Sequence, residues 1–298
     1  RRFFNIPELA GLRVEHAEVF DAAHRWVLPR LRSGELAGLR IDHVDGLFDP
    51  RAYCQGLRAA AGRPIYLVVE KILAAHEHLP EALPVDGTTG YEFAAWVTGL
   101  QVDAGQESAC SEAYARFTGE AGDAAAYAAL VVDCKRLIMD TELASELHAL
   151  ALEAARIARG DWHGRDFTLT GLRTALSEIV AHYPVYRTYI RRGDDGRPQL
   201  SATDRRHVGW ATALARRSQR VTEDATLDFL EALLLGEPPA RRAPGGFAPE
   251  AILRFAMKAQ QFTGPVMAKA VEDTAFYRFN RLLALNEVGA QPDRFGRS

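Results

Sequence analysis

The sequence predicts an α/β fold in which parallel strands near its start are followed by a large helical block. Residues 65–70 (IYLVVE) form an apolar run rich in β-branched side chains, which is typical of a strand buried on both faces of a parallel sheet. Residues 123–158 are rich in alanine and place apolar side chains at helical spacing. These two patterns predict parallel strands early in the chain and helices in its middle.

The first part of the chain, residues 1–99, contains the predicted strands. Its predicted elements are, in order, a helix at 16–33, a strand at 36–41, a helix at 51–61 and a strand at 65–70. Gly34 ends the first helix, and Gly62 with Pro64 ends the second. A strand, a helix and a strand within about 30 residues indicate a βαβ unit.

The middle part, residues 100–245, is predicted to be a helical insertion. Its predicted helices lie at 123–158, 168–192 and 204–235. Pro184 is expected to break or kink the second of them. A loop rich in proline and glycine at 236–246 separates this block from the last part, 246–298, where a helix is predicted from about Pro249.

Composition narrows the class of protein. The chain has 298 residues, of which 48% are hydrophobic and 25% charged, with a formal net charge of -3. This near-neutral balance gives no electrostatic reason to expect nucleic acid or an anionic membrane as a partner. Three cysteines (Cys54, Cys110 and Cys134) lack the spacing of a zinc site or a disulfide framework, so we expect reduced thiols and a cytoplasmic location.

Acidic residues end both predicted strands. Arg40 and Asp42 lie two residues apart at the end of the first strand, and Glu70 ends the second. Functional side chains of parallel α/β barrels lie at the carboxyl ends of strands. Two carboxylates at neighbouring strand ends fit a retaining glycosidase-type site, in which one attacks the anomeric carbon and the other donates a proton. We expect Arg40 to keep Asp42 ionised, and a more apolar environment to keep Glu70 protonated.

A structural role is the alternative for each of these residues. Arg40 and Asp42 could form a buried ion pair that only ties the sheet together, and Glu70 could cap a helix. Taken singly, each residue favours the structural interpretation. Their separation by one βα unit favours chemistry.

Five motifs, taken together, resemble a known family. They are LRIDHVDGLFDP (39–50), VVEKIL (68–73), DGTTGYEF (86–93), PVYRTY (184–189) and AKAVEDTAFYRFNRLLALNEVG (268–289). In this order they are similar to the motifs of the maltooligosyl trehalose synthases, within the α-amylase group of (β/α)8-barrel enzymes. The RIDH motif followed by a glutamate on the next strand is general in that group, whereas EKIL, GTTGY and EDTAFYR are much narrower.

The resemblance implies roles for individual residues. Asp42 matches the nucleophile, Glu70 the general acid/base, and Asp273 a third carboxylate that binds substrate hydroxyls. Residues implied to bind substrate are Arg40, His43, Lys71, Tyr91 and Lys269. Asp45 is interpreted as structural support. For Arg187 and Tyr189, helix packing and a site role remain equally open.

The resemblance also implies a fold and a reaction. It implies a partial (β/α)8 (TIM-type) barrel that covers about strands 4 to 8, with residues 100–245 inserted. We expect residues 1–99 to carry the nucleophile and the acid/base, and 246–298 to form the last βα units with the third carboxylate. The reaction converts the terminal α-1,4 link of a maltooligosaccharide into an α,α-1,1 link by double displacement, without a metal or organic cofactor.

Two alternatives to this activity remain open. The same carboxylates could serve an α-amylase-type hydrolase or glucanotransferase. The chain could instead be an inactive fragment, because the family has three βα units ahead of the RIDH strand. The expected partners are therefore a maltooligosaccharide and the N-terminal part of the barrel.

Overall fold

The computed structural model describes residues 2–3, 6–221, 223–240, 243 and 246–296. The strands are β1 (Arg2–Phe3), β2 (Ile6–Ala10), β3 (Gly38–Ile41), β4 (Tyr66–Val69), β5 (Gly87–Thr88), β6 (Arg191–Arg192) and β7 (Pro198–Gln199). The α-helices are α1 (Ala17–His24), α2 (Val27–Ser33), α3 (Pro50–Ala61), α4 (Tyr91–Gly99), α5 (Glu107–Thr118), α6 (Ala124–Asp140), α7 (Ala144–Ala158), α8 (Leu169–Ala181), α9 (Ala202–Ala215), α10 (Asp224–Leu234), α11 (Pro249–Met267) and α12 (Phe276–Arg278).

Strands β3, β4 and β5 form a parallel sheet in that order. The register pairs Gly38 with Tyr66 and Ile41 with Val69, so β3 and β4 end side by side. Gly38 allows this pairing, because a Cβ atom there would lie 2.1 Å from the carbonyl oxygen of Tyr66. The buried side chains of Leu67 and Val69 pack β4 against the surrounding helices.

Helix α3 connects β3 and β4 and completes the βαβ unit predicted from the sequence. Asp49 caps its start by accepting a hydrogen bond from the backbone N–H of Ala52 at 2.9 Å, and Pro50 occupies the first turn. Gly62 ends the helix in the left-handed conformation, with φ of 68°. The two predicted strands and the helix between them are therefore confirmed.

Helices α6 to α11 share one hydrophobic core. It includes Leu147 of α7, Leu176 of α8, Leu230 of α10 and Phe255 of α11. Because α11 packs into the same core as the helices before it, this core crosses the boundary predicted at 245. The helical character predicted for the middle of the chain is confirmed.

One of the predicted helices ends earlier than expected, and another is divided in two. The helix predicted at 168–192 stops at Ala181, and residues 184–190 run without helix into β6. Pro184 disfavours helical geometry in the residue before it, which explains the early stop. The helix predicted at 204–235 is divided, because α9 ends at Ala215 and α10 begins at Asp224.

The prediction of barrel strands in the last part of the chain is wrong for the residues described. Within 246–296, α11 continues directly into a π-helix, Ala268–Ala275, and then into α12, and none of these residues forms a strand. The buried residues of α11 recur at helical spacing and include Ile252, Phe255, Ala259 and Phe262. A helix places all of them on one buried face, whereas a strand would expose about half of them. The described sheet thus has three parallel strands, fewer than strands 4 to 8 of a barrel require.

None of the helices that the structure describes combines the length and the apolar character that a bilayer crossing would need.

Candidate active site

The carboxyl ends of β3 and β4 place two carboxylates on one hollow. Asp42 follows β3 and Glu70 follows β4, and the Glu70 backbone N–H donates to the Ile41 carbonyl oxygen at 2.7 Å. The hollow has a volume of about 170 Å³ and is lined by Asp42, His43, Asp45, Glu70, Ile72, Tyr186, Gly264, Ala268 and Glu272. This volume is below the roughly 300–1,000 Å³ of most ligand pockets, so it could hold only part of an oligosaccharide.

Arg40 lies between the two carboxylates. One guanidinium nitrogen donates to the Asp42 carboxylate, and the other lies 4.0 Å from Glu70 Oε1. The hydrogen bond to Asp42 raises the pKa of Arg40 above its ordinary value. Alternate residues of a strand point to the same side, so the RxD spacing predicted this contact. The Asp42 side chain is nevertheless 67% exposed, so the pair is not the buried sheet tie considered as the alternative.

Glu70 lies in a polar environment, which corrects the expectation of an apolar one. Its Oε2 accepts a hydrogen bond from the His43 backbone N–H at 2.7 Å. Its Oε1 accepts one from the Tyr91 hydroxyl at 3.1 Å. Partial burial and the neighbouring Glu70 raise the pKa of Tyr91, so this hydroxyl remains a donor. The GTTGY loop therefore reaches the site through Tyr91, which begins helix α4.

His43 adopts the left-handed conformation, with φ of 50° and ψ of 42°. This conformation is uncommon for a residue with a side chain. It turns the backbone N–H toward Glu70 while the ring lies against Gly46, where a Cβ atom would be 2.3 Å from His43 Nε2. The short turn after β3 therefore depends on a glycine at position 46.

Lys71 is buried, and its partners are protein groups. Its Nζ lies 2.9 Å from Glu77 Oε1 and 3.3 Å from Asp45 Oδ2, and its side chain is 0% exposed. Burial disfavours the charged amine, but the two carboxylates outweigh it and hold the pKa of Lys71 above its ordinary value. A side chain enclosed in this way cannot reach a sugar hydroxyl, so the structure does not support the substrate contact expected for Lys71.

Arg187 and Tyr189 hold the same turn from the other side. The buried Arg187 donates to the carbonyl oxygens of Asp45 at 2.8 Å and Leu47 at 2.6 Å. The Tyr189 hydroxyl donates to the Asp45 carboxylate. The PVYRTY segment thus supports the loop after β3 through packing and hydrogen bonds, which favours the structural interpretation of both residues.

The acid that the C-terminal helices bring to the hollow is Glu272. It lines the hollow and accepts a hydrogen bond from the Tyr186 hydroxyl. Burial raises the pKa of Glu272, although the Tyr186 hydrogen bond opposes the shift. Sequence reasoning did not select Glu272. The EDT motif contains two adjacent acids, Glu272 and Asp273, and neighbouring residues of a helix point in different directions. The sequence therefore offered both as candidates for the site.

Asp273 lies apart from the hollow. Its side chain is 56% exposed and accepts a hydrogen bond from Lys269 Nζ at 2.7 Å, one helical turn earlier. The structure therefore brings Asp42, Glu70, Arg40, His43 and Tyr91 together, and places Asp273 with Lys269 outside the hollow. Among the described residues, no three His, Cys, Asp or Glu side chains are arranged to hold a metal ion.

Comparison with known proteins gives one consistent result. No protein-family model matches the chain. A protein of Mycobacterium tuberculosis (strain ATCC 25618 / H37Rv) named "Putative maltooligosyl trehalose synthase" is 37% identical over 296 residues, which are 99% of this chain and 34% of that protein. The chain spans about a third of the length of the curated relatives that it matches.

Solved structures agree with the sequence comparison. The maltooligosyltrehalose synthase from Arthrobacter ramosus superposes with a TM-score of 0.77 at 35% identity, over 99% of this chain and 34% of that one. A hypothetical maltooligosyl trehalose synthase of Sulfolobus tokodaii gives a TM-score of 0.70 at 27% identity, over 99% and 33%. The chain is therefore similar to maltooligosyl trehalose synthases along almost its whole length, which confirms the resemblance identified from the motifs.

Proposed function

We propose that this chain carries the catalytic carboxylates of a retaining transglucosylase that acts at the reducing end of maltooligosaccharides. The observation that carries the proposal is the meeting of Asp42 and Glu70 on one hollow, with Arg40 between them. The similarity to maltooligosyl trehalose synthases supports the choice of substrate. Because the chain spans about a third of those relatives, the proposed partner is a polypeptide that supplies the rest of the barrel.

The first displacement breaks the terminal α-1,4 link. The Asp42 carboxylate attacks C1 of the second glucose unit from the reducing end and forms a glycosyl ester. Glu70 gives its proton to O4 of the departing glucose, which leaves as a neutral molecule. Arg40 stabilises Asp42 as an anion until it attacks.

The second displacement forms the α,α-1,1 link. The released glucose stays in the site and presents its anomeric hydroxyl to the glycosyl ester. Glu70 takes the proton of that hydroxyl, its oxygen bonds to C1, and Asp42 is released as a carboxylate. The product is an isomer of the substrate, so the reaction consumes no water and needs no cofactor.

The third carboxylate has two candidates. Similarity to the family assigns the role to Asp273, whereas Glu272 is the acid that lines the hollow in this chain. His43 and Tyr91 hydrogen bond to Glu70 and fix the direction of its carboxyl group. We propose that these two residues position Glu70 and that Lys71 stabilises the loop behind it.

Hydrolysis is the second candidate activity. The intermediate on Asp42 would be open to water, because the Asp42 side chain is 67% exposed. Water that reached the glycosyl ester before glucose turned would release a shorter maltooligosaccharide and glucose. The chain without further enclosure would therefore favour hydrolysis over isomerisation.

The test is incubation of the chain with maltopentaose, followed by analysis of products and reducing ends. A non-reducing pentasaccharide without free glucose supports the isomerase, and glucose with maltotetraose supports the hydrolase. The Asp42→Asn variant is expected to lose either activity, with Asp49→Asn as a matched control that removes a carboxylate from a helix cap of the same loop. Turnover that survives in Asp42→Asn, or no turnover by the chain even with its full-length context restored, would contradict the proposal.

A further inference from the structure

A second and larger cavity lies apart from the hollow of the carboxylates. It has a volume of about 640 Å³, within the range of sites for small ligands. Its walls come from the start of α3, from residues 76–83 after β4, and from the first turns of α9. It shares no lining residue with the hollow that contains Asp42 and Glu70.

A buried imidazole whose Nε2 has no hydrogen-bond partner among the described residues lines this cavity. His207 is only 3% exposed, and its Nε2 atom is enclosed with no acceptor or donor in reach among the described residues. Arg51 lines the same cavity, and its Nε is likewise buried without a partner in the described chain. Buried polar atoms are normally hydrogen bonded, so the wall of this cavity holds two nitrogens that the described chain leaves unsatisfied.

Four arginines line the cavity, and two of them, Arg187 and Arg191, donate to backbone carbonyl oxygens of the protein. The structure records no ion pair for Arg51 or Arg206 with any described residue. The lining carboxylates already have internal partners: Asp49 caps α3, Glu77 pairs with Lys71, and Asp204 accepts from the backbone N–H groups of Tyr189 and Ser201. Glu81, which also lines the cavity, is exposed.

Apolar side chains form much of the rest of the cavity wall, beside the polar residues Gln199, Ser201 and Thr203. The apolar residues of its lining include Phe48, Leu79, Leu83, Ile190 and Leu200. The His76 ring meets the His207 ring edge to face, with centroids 5.6 Å apart. A site of this composition suits a molecule that has an apolar body and one anionic oxygen group.

We propose that this cavity binds a small organic anion whose phosphate or carboxylate oxygens accept hydrogen bonds from the guanidinium groups of Arg51 and Arg206, beside the His207 ring. The apolar body of the anion packs against the leucines and Phe48. This binding does not depend on the activity proposed above, and it can be measured without turnover.

The test is calorimetric titration of the chain with phenyl phosphate, benzoate and benzyl alcohol. We expect the two anions to bind and the neutral alcohol to bind at least tenfold more weakly. A preference for phenyl phosphate assigns the site to phosphate esters, and a preference for benzoate assigns it to carboxylates. Equal binding of all three probes, or binding of none, overturns the proposal.

A matched pair of variants locates the binding. Arg206 lines the cavity, while its neighbour Arg205 pairs with Glu237 on the outside of α9. Both side chains are exposed, so either can be replaced with little effect on folding. Arg206→Gln is expected to weaken binding of the preferred anion about tenfold, and Arg205→Gln less than twofold. Equal losses would show general charge attraction in place of a site.

Discussion

The backbone N–H of His43 donates a hydrogen bond to the carboxylate of Glu70 at 2.7 Å, from a residue held in the left-handed conformation. The contact joins the ends of two neighbouring parallel strands, and it needs the backbone of His43 but not its ring. Position 43 therefore combines two separable functions. Its backbone orients Glu70, and the residue itself lines the hollow.

We expect His43→Gly to retain the stability of the fold while losing affinity for sugar. Glycine adopts a positive φ without strain, which offsets its greater freedom in the unfolded chain, so the free energy of unfolding should change by less than about 1 kcal/mol. Urea unfolding and maltotriose titration measure the two effects. The control His43→Ala also removes the ring but keeps the strain, and it should be less stable than His43→Gly. Equal stability of the two variants would contradict the role of the backbone.

The two acids of the EDT motif are expected to differ in their effect on activity. Glu272 lines the hollow, so Glu272→Gln should lower kcat/KM by at least a hundredfold, about 2.7 kcal/mol in the barrier. Asp273→Asn removes only the exposed pair with Lys269 and should change kcat/KM less than tenfold. The reverse order would show that the segment is arranged differently in the active protein, with Asp273 as the third carboxylate.

Replacing Lys71 is expected to destabilise the protein strongly. In Lys71→Met, the carboxylates of Asp45 and Glu77 would remain buried without their cation, at a cost of about 3–5 kcal/mol. Urea unfolding of the variant gives this value directly. The partly exposed pair of Lys269 with Asp273 offers a matched control, and Lys269→Met should cost less than about 1 kcal/mol. A loss below 1 kcal/mol for both variants would argue against the buried network as a support of the site.

The buried Lys135 should make stability depend on pH. Its amine donates to the Tyr183 carbonyl oxygen at 2.8 Å, and burial lowers its pKa from 10.5 to about 7. Between these two values the unfolded chain binds a proton that the folded chain does not, so the free energy of unfolding should rise with pH. The contribution of this one group has a slope of at most about 1.4 kcal/mol per pH unit, and it vanishes below pH 7, where both states are protonated.

The Lys135→Met variant isolates that contribution. Urea unfolding of both proteins at several pH values between 7 and 10 gives the difference in slope, which cancels the titration of all other groups. The variant should be flatter than the natural chain. Parallel curves would mean that the amine remains protonated in the fold.

Local signals in the sequence predicted the βαβ unit and the two acids that follow its strands. Asp49, Pro50 and Gly62 mark the ends of α3 within the segment itself, and β-branched residues mark β4. Because parallel strands end at one edge of a sheet, the meeting of Asp42 and Glu70 follows from this unit alone.

The remaining parts of the site depend on contacts between distant segments. The resemblance implies a substrate contact for Lys71, which follows Glu70. Its partners Asp45 and Glu77 come from two different loops, and the Tyr189 ring beside it comes from more than 100 residues away, so the sequence did not reveal its enclosure. The direction of the Glu272 side chain depends on the π-helix at 268–275, a rare winding that residue types alone do not predict. Neither feature has a periodic pattern that the sequence could reveal.

The wide winding of residues 268–275 makes the direction of Glu272 sensitive to the exact number of residues in that stretch. Deleting a single residue there would let the backbone relax to the ordinary 3.6 residues per turn, and the shorter stretch would change which of its residues faces the hollow. Glu272 would then leave Tyr186, while the apolar face of α11 stayed in its core. Evolution could thus redirect this acid, or exchange it for its neighbour, by a change in length confined to this one stretch.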